Sequence, residues 1–138
     1  MPNPLIPLKK FAFAAAQLAD YKKLKDHSGI AKRIFDSCIK FPEIAGGSKS
    51  INSILTKLSK GNVFFKNGAE GVFVAIIPKK KSALVVKIVD GTARAAEVAI
   101  AGLISQIKII NNDKIEKIKK RPVKNSVGQI IGHMKWIG

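Results

Sequence analysis

Apolar residues recur at helical spacing near the start of the chain. Those between Leu8 and Ala19 fall on one face, which predicts a helix over about 7–24. Pro7 suits the first turn of that helix. Pro4 fixes its own backbone angle, so an extended approach to the helix is expected.

A second helix is predicted from a cap at Asp26 or Ser28 to about Ile39. Four of its side chains are expected to face inward: Ile30, Ile34, Phe35 and Cys38. The helix should end before Pro42, because the residue that precedes a proline is driven out of the helical region.

A loop and a short third helix are predicted next. Gly46 and Gly47 indicate the loop. Apolar residues between Ile51 and Leu58 then recur at helical spacing, and Gly61 closes that helix as glycine commonly does.

The pattern changes to that of strands at Asn62. Three apolar runs rich in β-branched residues follow one another with short turns between them: NVFFK, EGVFVAIIP and ALVVKIVD. Such short connections favour antiparallel neighbours. The lysine-rich PKKKS at 78–82 is expected to be an exposed hairpin tip.

The last third predicts a buried helix, a connector and a strand. Small residues cover nearly every face of ARAAEVAIAGLISQIKII, which permits close packing on a sheet. NNDKIEKIKKR predicts a polar connector, and PVKNSVGQIIGHMKW a last strand with a turn at Asn125-Ser126. The expected fold class is α+β, with helices packed on an antiparallel sheet in one domain, 1–138, whose helical part is 1–60 and whose sheet part is 61–138.

Net charge is the extreme value of the composition: +16, from 25 Lys and Arg against 9 acidic residues. This charge suits a nucleic-acid-binding module, because neutralisation of phosphates dominates such affinity. Arginine, which reads bases best, occurs only at Arg33, Arg94 and Arg121, and no aromatic residues interleave the lysine clusters. A solvated lysine-rich surface without a nucleic-acid partner is the favoured interpretation.

Hydropathy and cysteine content bear on the compartment and on metals. No apolar run approaches the length that spans a bilayer, and no secretory signal is evident, so we expect a cytoplasmic protein without a membrane partner. Cys38 is the single cysteine and is expected to be a core thiol. His27 and His133 have no partners at metal-ligand spacing, so no metal or other cofactor is expected.

Lys66 ends an apolar strand and is followed by the turn-forming Asn67-Gly68 and then by Glu70. A lysine in that position must reach water or use its charge. A strand lysine followed by a small residue and glycine is similar to the Lys-Thr-Gly element of penicillin-recognising serine enzymes, where the lysine lines the active site.

Several segments together resemble the C-terminal half of the thermolabile L-asparaginase II family, whose fold resembles the serine β-lactamases. The family carries Lys-x-Gly-Ala-Glu-Gly, Lys-Ile-x-Asp-Gly, Arg-Ala-Ala-Glu and Arg-x-Val-x-Asn in that order. The corresponding segments are Lys66–Gly71, Lys87–Gly91, Arg94–Glu97 and Arg121–Asn125. The stretches PNPLIPLKKFAFAAAQLA and FPEIAGG also resemble the family, so the resemblance extends from Pro2 to the end.

The resemblance implies hydrolysis of the side-chain amide of L-asparagine to L-aspartate and ammonia. It implies that Lys66 is a catalytic residue, partnered with a serine whose proton affinity it tunes or holding water and substrate by charge. Asn67, Gly68 and Glu70 are the expected substrate-binding residues, with Glu70 fixing Lys66 or the substrate's amino group. Asp90, Arg94 and Glu97 are expected to form a buried structural network that joins helix to sheet, in preference to the alternative of a direct part in catalysis.

The family's serine candidates, the Ser-x-x-Lys lysine and the two cysteines and lysine that bind zinc in some members all correspond to positions before residue 1. We therefore expect a C-terminal fragment that hydrolyses little asparagine alone and needs a missing N-terminal half, or a separate chain, as partner. It should expose apolar surface that this half would cover. A homodimer and a non-catalytic remnant are the other open assignments.

Overall fold

The computed structural model describes residues 5–138, so Pro4 and its expected extended approach lie outside the described residues. Helices and two small sheets confirm the α+β class. The α-helices are α1 (Leu8–Ala19), α2 (Ser28–Lys40), α3 (Pro42–Gly46), α4 (Ile51–Leu58), α5 (Ala93–Gln106) and α6 (Asp113–Lys119). The strands are β1 (Phe64–Asn67), β2 (Val72–Ile77), β3 (Ser82–Lys87), β4 (Lys120–Lys124) and β5 (Ile130–Lys135).

The strands form one sheet in the order β1-β2-β3 and a second, two-stranded sheet of β4 and β5. Contacts divide the chain into two compact units. The first unit contains the residues up to Asn67 together with Val74–Val85, and the second contains Gly68–Phe73 together with Val86–Gly138. No helix within residues 5–138 combines the length and the apolar character that a membrane crossing requires.

The core of the first unit joins α1 and α2 to the sheet. Its buried members are Ala15, Ala19, Phe35, Val74 and Ile76. The rings of Phe35 and Phe64 meet edge to face with their centroids 6.3 Å apart, a geometry that aromatic quadrupoles favour. The sheet thus buries one face against the helices.

The first helix is shorter than predicted. It ends at Ala19, and a 3₁₀ segment over Tyr21–His27 replaces its last turns, with Lys25 at φ 46° and ψ −118°. The prediction of a helix to residue 24 was wrong because the segment after Ala19 is nearly all polar and has no apolar face to bury.

The inward face of α2 also differs from the prediction. Phe35 is buried as predicted and Ala31 is buried with it, whereas Ile30 and Ile34 are 58% and 53% exposed. One residue turns a helix by about 100°, so the choice of Phe35 for the core carries its neighbour Ile34 towards solvent. His27 precedes the helix without a side-chain capping bond, so neither Asp26 nor Ser28 acts as the predicted cap.

Cys38 lies on α2 and is half-buried rather than fully in the core. Its burial raises the pKa of the thiol. Around the predicted glycine loop, Pro42 begins the one-turn helix α3, and Gly47 follows it at φ 95°. A proline at the first helical position explains why this segment is helical up to Gly46.

The second unit is built around α5, whose burial confirms the prediction from its small residues. Ile100, Ala101 and Ile104 are fully buried. The Trp136 ring lies directly over Gly102, where a Cβ would come within 2.2 Å of it. Only glycine fits under that ring.

Two predictions for the last third were wrong. Residues 113–119, expected to be a connector, form α6, because the Asn112 side chain accepts from the N–H groups of Lys114 and Ile115 and the helix buries Ile115 and Ile118. The tail forms two strands in a sheet of their own, not one further strand. A tight turn pairs β4 with β5, so the tail needs no other strand partner.

Candidate active site

Lys66 lies on β1 with its side chain exposed. Its Nζ donates to the backbone oxygen of Asn67 at 2.8 Å and to Asn67 Oδ1 at 3.1 Å. Its ammonium is therefore held over its own chain neighbour and has no salt bridge to an acidic residue within residues 5–138.

Asn67 is in turn held by Asn52 of α4. The Asn67 backbone N–H donates to Asn52 Oδ1 at 3.1 Å, and Asn52 Nδ2 donates to Asn67 Oδ1 at 2.6 Å. Asn52 is only 3% exposed. One buried carboxamide thus binds both the main chain and the side chain of the residue that holds Lys66.

This contact belongs to a ladder of side-chain hydrogen bonds that supports β1, the edge strand of its sheet. The N–H groups of Val63, Phe65 and Asn67 donate in turn to Ser59 Oγ at 3.1 Å, Thr56 Oγ1 at 3.2 Å and Asn52 Oδ1 at 3.1 Å. These alternate residues point their N–H groups outward, where a further strand would otherwise pair. Polar residues of α4 and its end replace that strand.

Sequence reasoning missed this ladder, although a signal was present. Asn52, Thr56 and Ser59 recur at the i, i+4 and i+7 spacing of one helical face, between the apolar positions of α4. A polar stripe on a short helix usually indicates a solvated face. Here all three residues are buried, because the stripe packs on a strand edge.

The N-terminal end of α4 is fixed by Ser50 and Ser53. Ser50 caps the helix by accepting from the Ser53 N–H. The Ser53 hydroxyl lies 2.8 Å from the Pro42 oxygen and 2.7 Å from the Gly47 oxygen, and Ser53 is 1% exposed. This serine is engaged in holding the loop and is closed to substrate.

Two other serines have the Ser-x-x-Lys spacing that serine amidohydrolases use, Ser37 with Lys40 and Ser105 with Lys108. Each serine lies in the last turn of a helix, Ser37 in α2 and Ser105 in α5. Partial negative charge at a helix C-terminus opposes the formation of an alkoxide. Neither serine is therefore placed as a nucleophile.

Gly68 and Glu70 belong to the turn that follows Asn67. The Gly68 N–H donates to the Val72 oxygen at 2.8 Å, so it closes the turn and does not face a cleft. Glu70 has φ 56° and an exposed carboxylate.

The Glu70 turn packs against the turn that precedes α5. Gly71 has φ 68°, and a Cβ there would lie 2.9 Å from Ile88 Cβ. Gly91 has φ 76°, and its Cβ would lie 2.8 Å from Glu70 Oε2. The Ile88 N–H donates to the Gly71 oxygen at 3.0 Å. Two glycines thus bring two of the sequence motifs into direct contact.

The expected buried network of Asp90, Arg94 and Glu97 was wrong. Asp90 and Arg94 are exposed. Asp90 Oδ1 accepts from the Thr92 N–H at 2.9 Å, and hydrogen bonds from the Thr92 main chain and then its side chain lower the pKa of Asp90. Glu97 on α5 instead forms an ion pair with Arg121 on β4, because a carboxylate on the side of a helix is stabilised by a nearby cation.

Asn125 organises the turn between β4 and β5. Its Oδ1 accepts from the N–H groups of Val127 and Gln129 at 3.2 and 2.9 Å. Its Nδ2 donates to Gln129 Oε1 at 3.0 Å. The Arg121–Asn125 motif therefore has two structural functions, the ion pair to α5 and the turn.

Two cavities of the first unit lie away from the predicted site residues. One of about 220 Å³ is lined by Phe13, Asp20, Lys23 and Lys81 among others. The second, of about 390 Å³, lies along α2 beside Ile30, Ile34 and Cys38. Within residues 5–138 no three His, Cys, Asp or Glu residues cluster as metal ligands would. The described residues therefore do not fit the zinc that the resemblance associates with some family members.

Comparison with known proteins gives one family. The model of the L-asparaginase II family matches residues 1–136. No curated protein matches the chain. The family match includes Lys66, the two packed glycine turns and the Glu97–Arg121 pair.

Proposed function

Because the chain belongs to the L-asparaginase II family and its function is accordingly asparaginase-like, we propose that it takes part in hydrolysing the side-chain amide of L-asparagine. The products are L-aspartate and ammonia. The observation that supports this proposal is Lys66, an exposed lysine whose ammonium is held beside Asn67 by hydrogen bonds. Other motif residues, among them Gly71, Gly91, Glu97, Arg121 and Asn125, serve the fold.

We propose that Lys66 acts beside a serine hydroxyl. The serine oxygen attacks the amide carbon, the C–N bond breaks as its nitrogen takes a proton to leave as ammonia, and water then cleaves the acyl ester to give aspartate. By its positive charge Lys66 either lowers the proton affinity of the serine oxygen, whose proton passes to the leaving nitrogen, or holds the substrate's carboxylate. Ser53 and Ser59 are buried and bonded within the fold, which favours a serine from an N-terminal half or a separate chain.

The substrate's polar groups match the chemistry of the predicted binding residues. Asn52 and Lys66 both donate to Asn67 Oδ1, which leaves the Asn67 NH₂ group to donate to a substrate oxygen. The positive charge of Lys66 likewise suits an oxygen of the substrate. The exposed Glu70 carboxylate suits the substrate's ammonium group, and Gly68 shapes the turn between them along the chain.

The test is ammonia release from L-asparagine by the chain alone and together with a polypeptide that carries the family's N-terminal half. We expect release only from the combination, and its loss in Lys66→Ala. Lys79→Ala is the matched control, because it removes an exposed lysine at the tip between β2 and β3 and touches none of the site residues. Equal activity of the Lys66→Ala variant and the control would refute the role of Lys66.

Fast hydrolysis by the chain without any partner would refute the need for a second polypeptide. Silence of the combination, with the two polypeptides shown to assemble, would leave a non-catalytic remnant. A homodimer would appear in the same preparation as twice the chain's mass of 14.9 kDa. These three results separate the assignments that the family membership leaves open.

A second candidate function is binding of duplex nucleic acid. The observation that supports it is the outer face of the two-stranded ribbon formed by β4 and β5. Lys120 lies directly opposite Lys135, and like charges in that position repel until an anion neutralises them. A two-stranded ribbon fits the major groove of DNA. Binding of a labelled duplex should weaken steeply with salt and be reduced by Lys120→Gln; affinity independent of salt would exclude this function.

A further inference from the structure

We propose that Asn52 is a positioning residue: it sets the direction of the Asn67 carboxamide and, through it, the place of the Lys66 ammonium. The catalytic consequence rests on the function proposed for Lys66. The hydrogen-bond order itself does not, and it can be tested separately.

The direction of the network follows from one main-chain group. A backbone N–H can only donate, so the Asn67 N–H requires the oxygen of the Asn52 carboxamide at 3.1 Å. The NH₂ group of Asn52 must then face the Asn67 side chain, 2.6 Å away. Asn67 therefore presents its oxygen to Asn52, and Lys66 donates to that same oxygen at 3.1 Å.

The reverse orientation of Asn67 would place its NH₂ group against both Asn52 Nδ2 and the Lys66 ammonium. Donors would then face donors, and the cation would lose one of its two acceptors. Asn52 excludes this arrangement because its own orientation is fixed by the main chain. The orientation of the buried Asn52 carboxamide thus fixes the orientation of the Asn67 carboxamide, and through it the position of the exposed Lys66 ammonium.

Asn52 has little freedom to turn. It is 3% exposed, and a Cβ added to Gly46 would lie 2.8 Å from Asn52 Cβ. The close approach of Gly46 therefore packs the loop against the base of the Asn52 side chain. A residue can hold another group in place when its own side chain is fixed by packing and hydrogen bonds, and Asn52 meets both conditions.

The other two rungs of the ladder end at the main chain. The Thr56 hydroxyl accepts from the Phe65 N–H, and the Ser59 hydroxyl bonds to the main chain of Thr56 and Val63. Neither reaches a side chain of β1. Thr56→Val is therefore the matched control: it removes one rung from the same helix and strand and leaves Asn52, Asn67 and Lys66 unchanged.

The experiment follows the ammonium signal of Lys66 and the carboxamide signal of Asn67 by NMR. Asn52→Ala should shift and broaden the Lys66 signal, whereas Thr56→Val should leave it in place. In an Asn67→Ala background, Asn52→Ala should affect Lys66 much less than in the wild type, because the side-chain link is already cut and only the bond from the Asn67 N–H to Asn52 remains. A Lys66 signal that ignores Asn52→Ala, or that responds equally to Thr56→Val, would overturn the proposal.

A second variant, Asn52→Asp, tests the same proposal if Asn52→Ala does not fold. Asn52→Asp has the same shape and still accepts from the Asn67 N–H, but it cannot donate. The Asn67 NH₂ group should turn towards the new carboxylate, and its protons should exchange more slowly than in the wild type. Unchanged Asn67 carboxamide protons in a folded Asn52→Asp variant would contradict the assigned direction.

The same variants separate this inference from the proposed function. If Lys66→Ala retains full asparagine hydrolysis, the catalytic role of Lys66 is refuted. The NMR experiment on Asn52→Ala still tests the positioning of Lys66 independently. If Lys66→Ala is inactive and Asn52→Ala leaves both the Lys66 signal and kcat unchanged, only the positioning role fails.

Discussion

The Lys66 segment and the Glu70 turn are held in place by opposite means. Side-chain hydrogen bonds from Asn52, Thr56 and Ser59 support the Lys66 segment. The Glu70 turn depends on missing side chains, because Gly71 and Gly91 let two turns touch. The Lys66 segment should tolerate changes of backbone shape but not of side-chain polarity. The Glu70 turn should tolerate changes of polarity but not of backbone shape.

The largest expected effect is on the glycine arrangement. Gly71→Ala forces a Cβ within 2.9 Å of Ile88 Cβ and 3.0 Å of the Gly91 main chain, at φ 68°. Left-handed strain and overpacking together should lower the free energy of unfolding by about 3 kcal/mol or more. Urea unfolding monitored by Trp136 fluorescence measures the loss.

Gly128→Ala is the matched control for that variant. Gly128 also has a positive φ, 84°, but nothing lies within 4 Å of its added Cβ. Its substitution should cost only the left-handed strain, about 1 kcal/mol. Equal losses in the two variants would show that packing between the two turns contributes nothing.

The next effect concerns the polar ladder. Thr56→Val keeps the side-chain shape but leaves the buried N–H of Phe65 without its acceptor. An unsatisfied buried donor should lower the free energy of unfolding by about 2 kcal/mol. Ser48→Ala, in the exposed loop before α4, is the control and should change urea unfolding little; a neutral Thr56→Val would show that β1 is not supported by this ladder.

The sequence predicted the glycine arrangement better than the ladder. Glycine adopts left-handed backbone most readily, so short turns between the apolar runs could be expected from the sequence, although Gly71 lies in the predicted strand run EGVFVAIIP and its contact with Gly91 was not predicted. A polar stripe such as Asn52, Thr56 and Ser59 has the same appearance whether it faces water or a strand edge. Only the tertiary contact decides, and no local rule could place Asn52 against Asn67.

The same reason explains the errors in the helices. Ile30 and Ile34 have the spacing of a core face, but Ala31 and Phe35 one residue on share that spacing. The helix buries this second pair, of which only Phe35 was predicted. The chemistry followed a different route. Lys66 was found from a motif resemblance, while Asn52, which binds the residue that holds Lys66, lies 15 residues before Asn67 in sequence.

A smaller effect is expected at the Glu97–Arg121 pair. The two side chains are 22% and 39% exposed, so water screens much of their attraction. Glu97→Gln should lower the free energy of unfolding by about 0.5 kcal/mol, and high salt should shrink the difference. A loss as large as that of Thr56→Val would show that this pair, too, acts as a buried polar contact.

The smallest effect should come from Asp90, whose turn leads into α5. Hydrogen bonds from Thr92 hold the pKa of Asp90 below its usual value. A lowered pKa in the folded state stabilises the protein above about pH 4 and ceases to do so as the pH falls through that lowered pKa. Urea unfolding of the wild type and Asp90→Asn should therefore differ at neutral pH and converge on acidification. Asp26→Asn removes an exposed carboxylate without that hydrogen bond, and an equal convergence there would assign the effect to general charge and not to the turn.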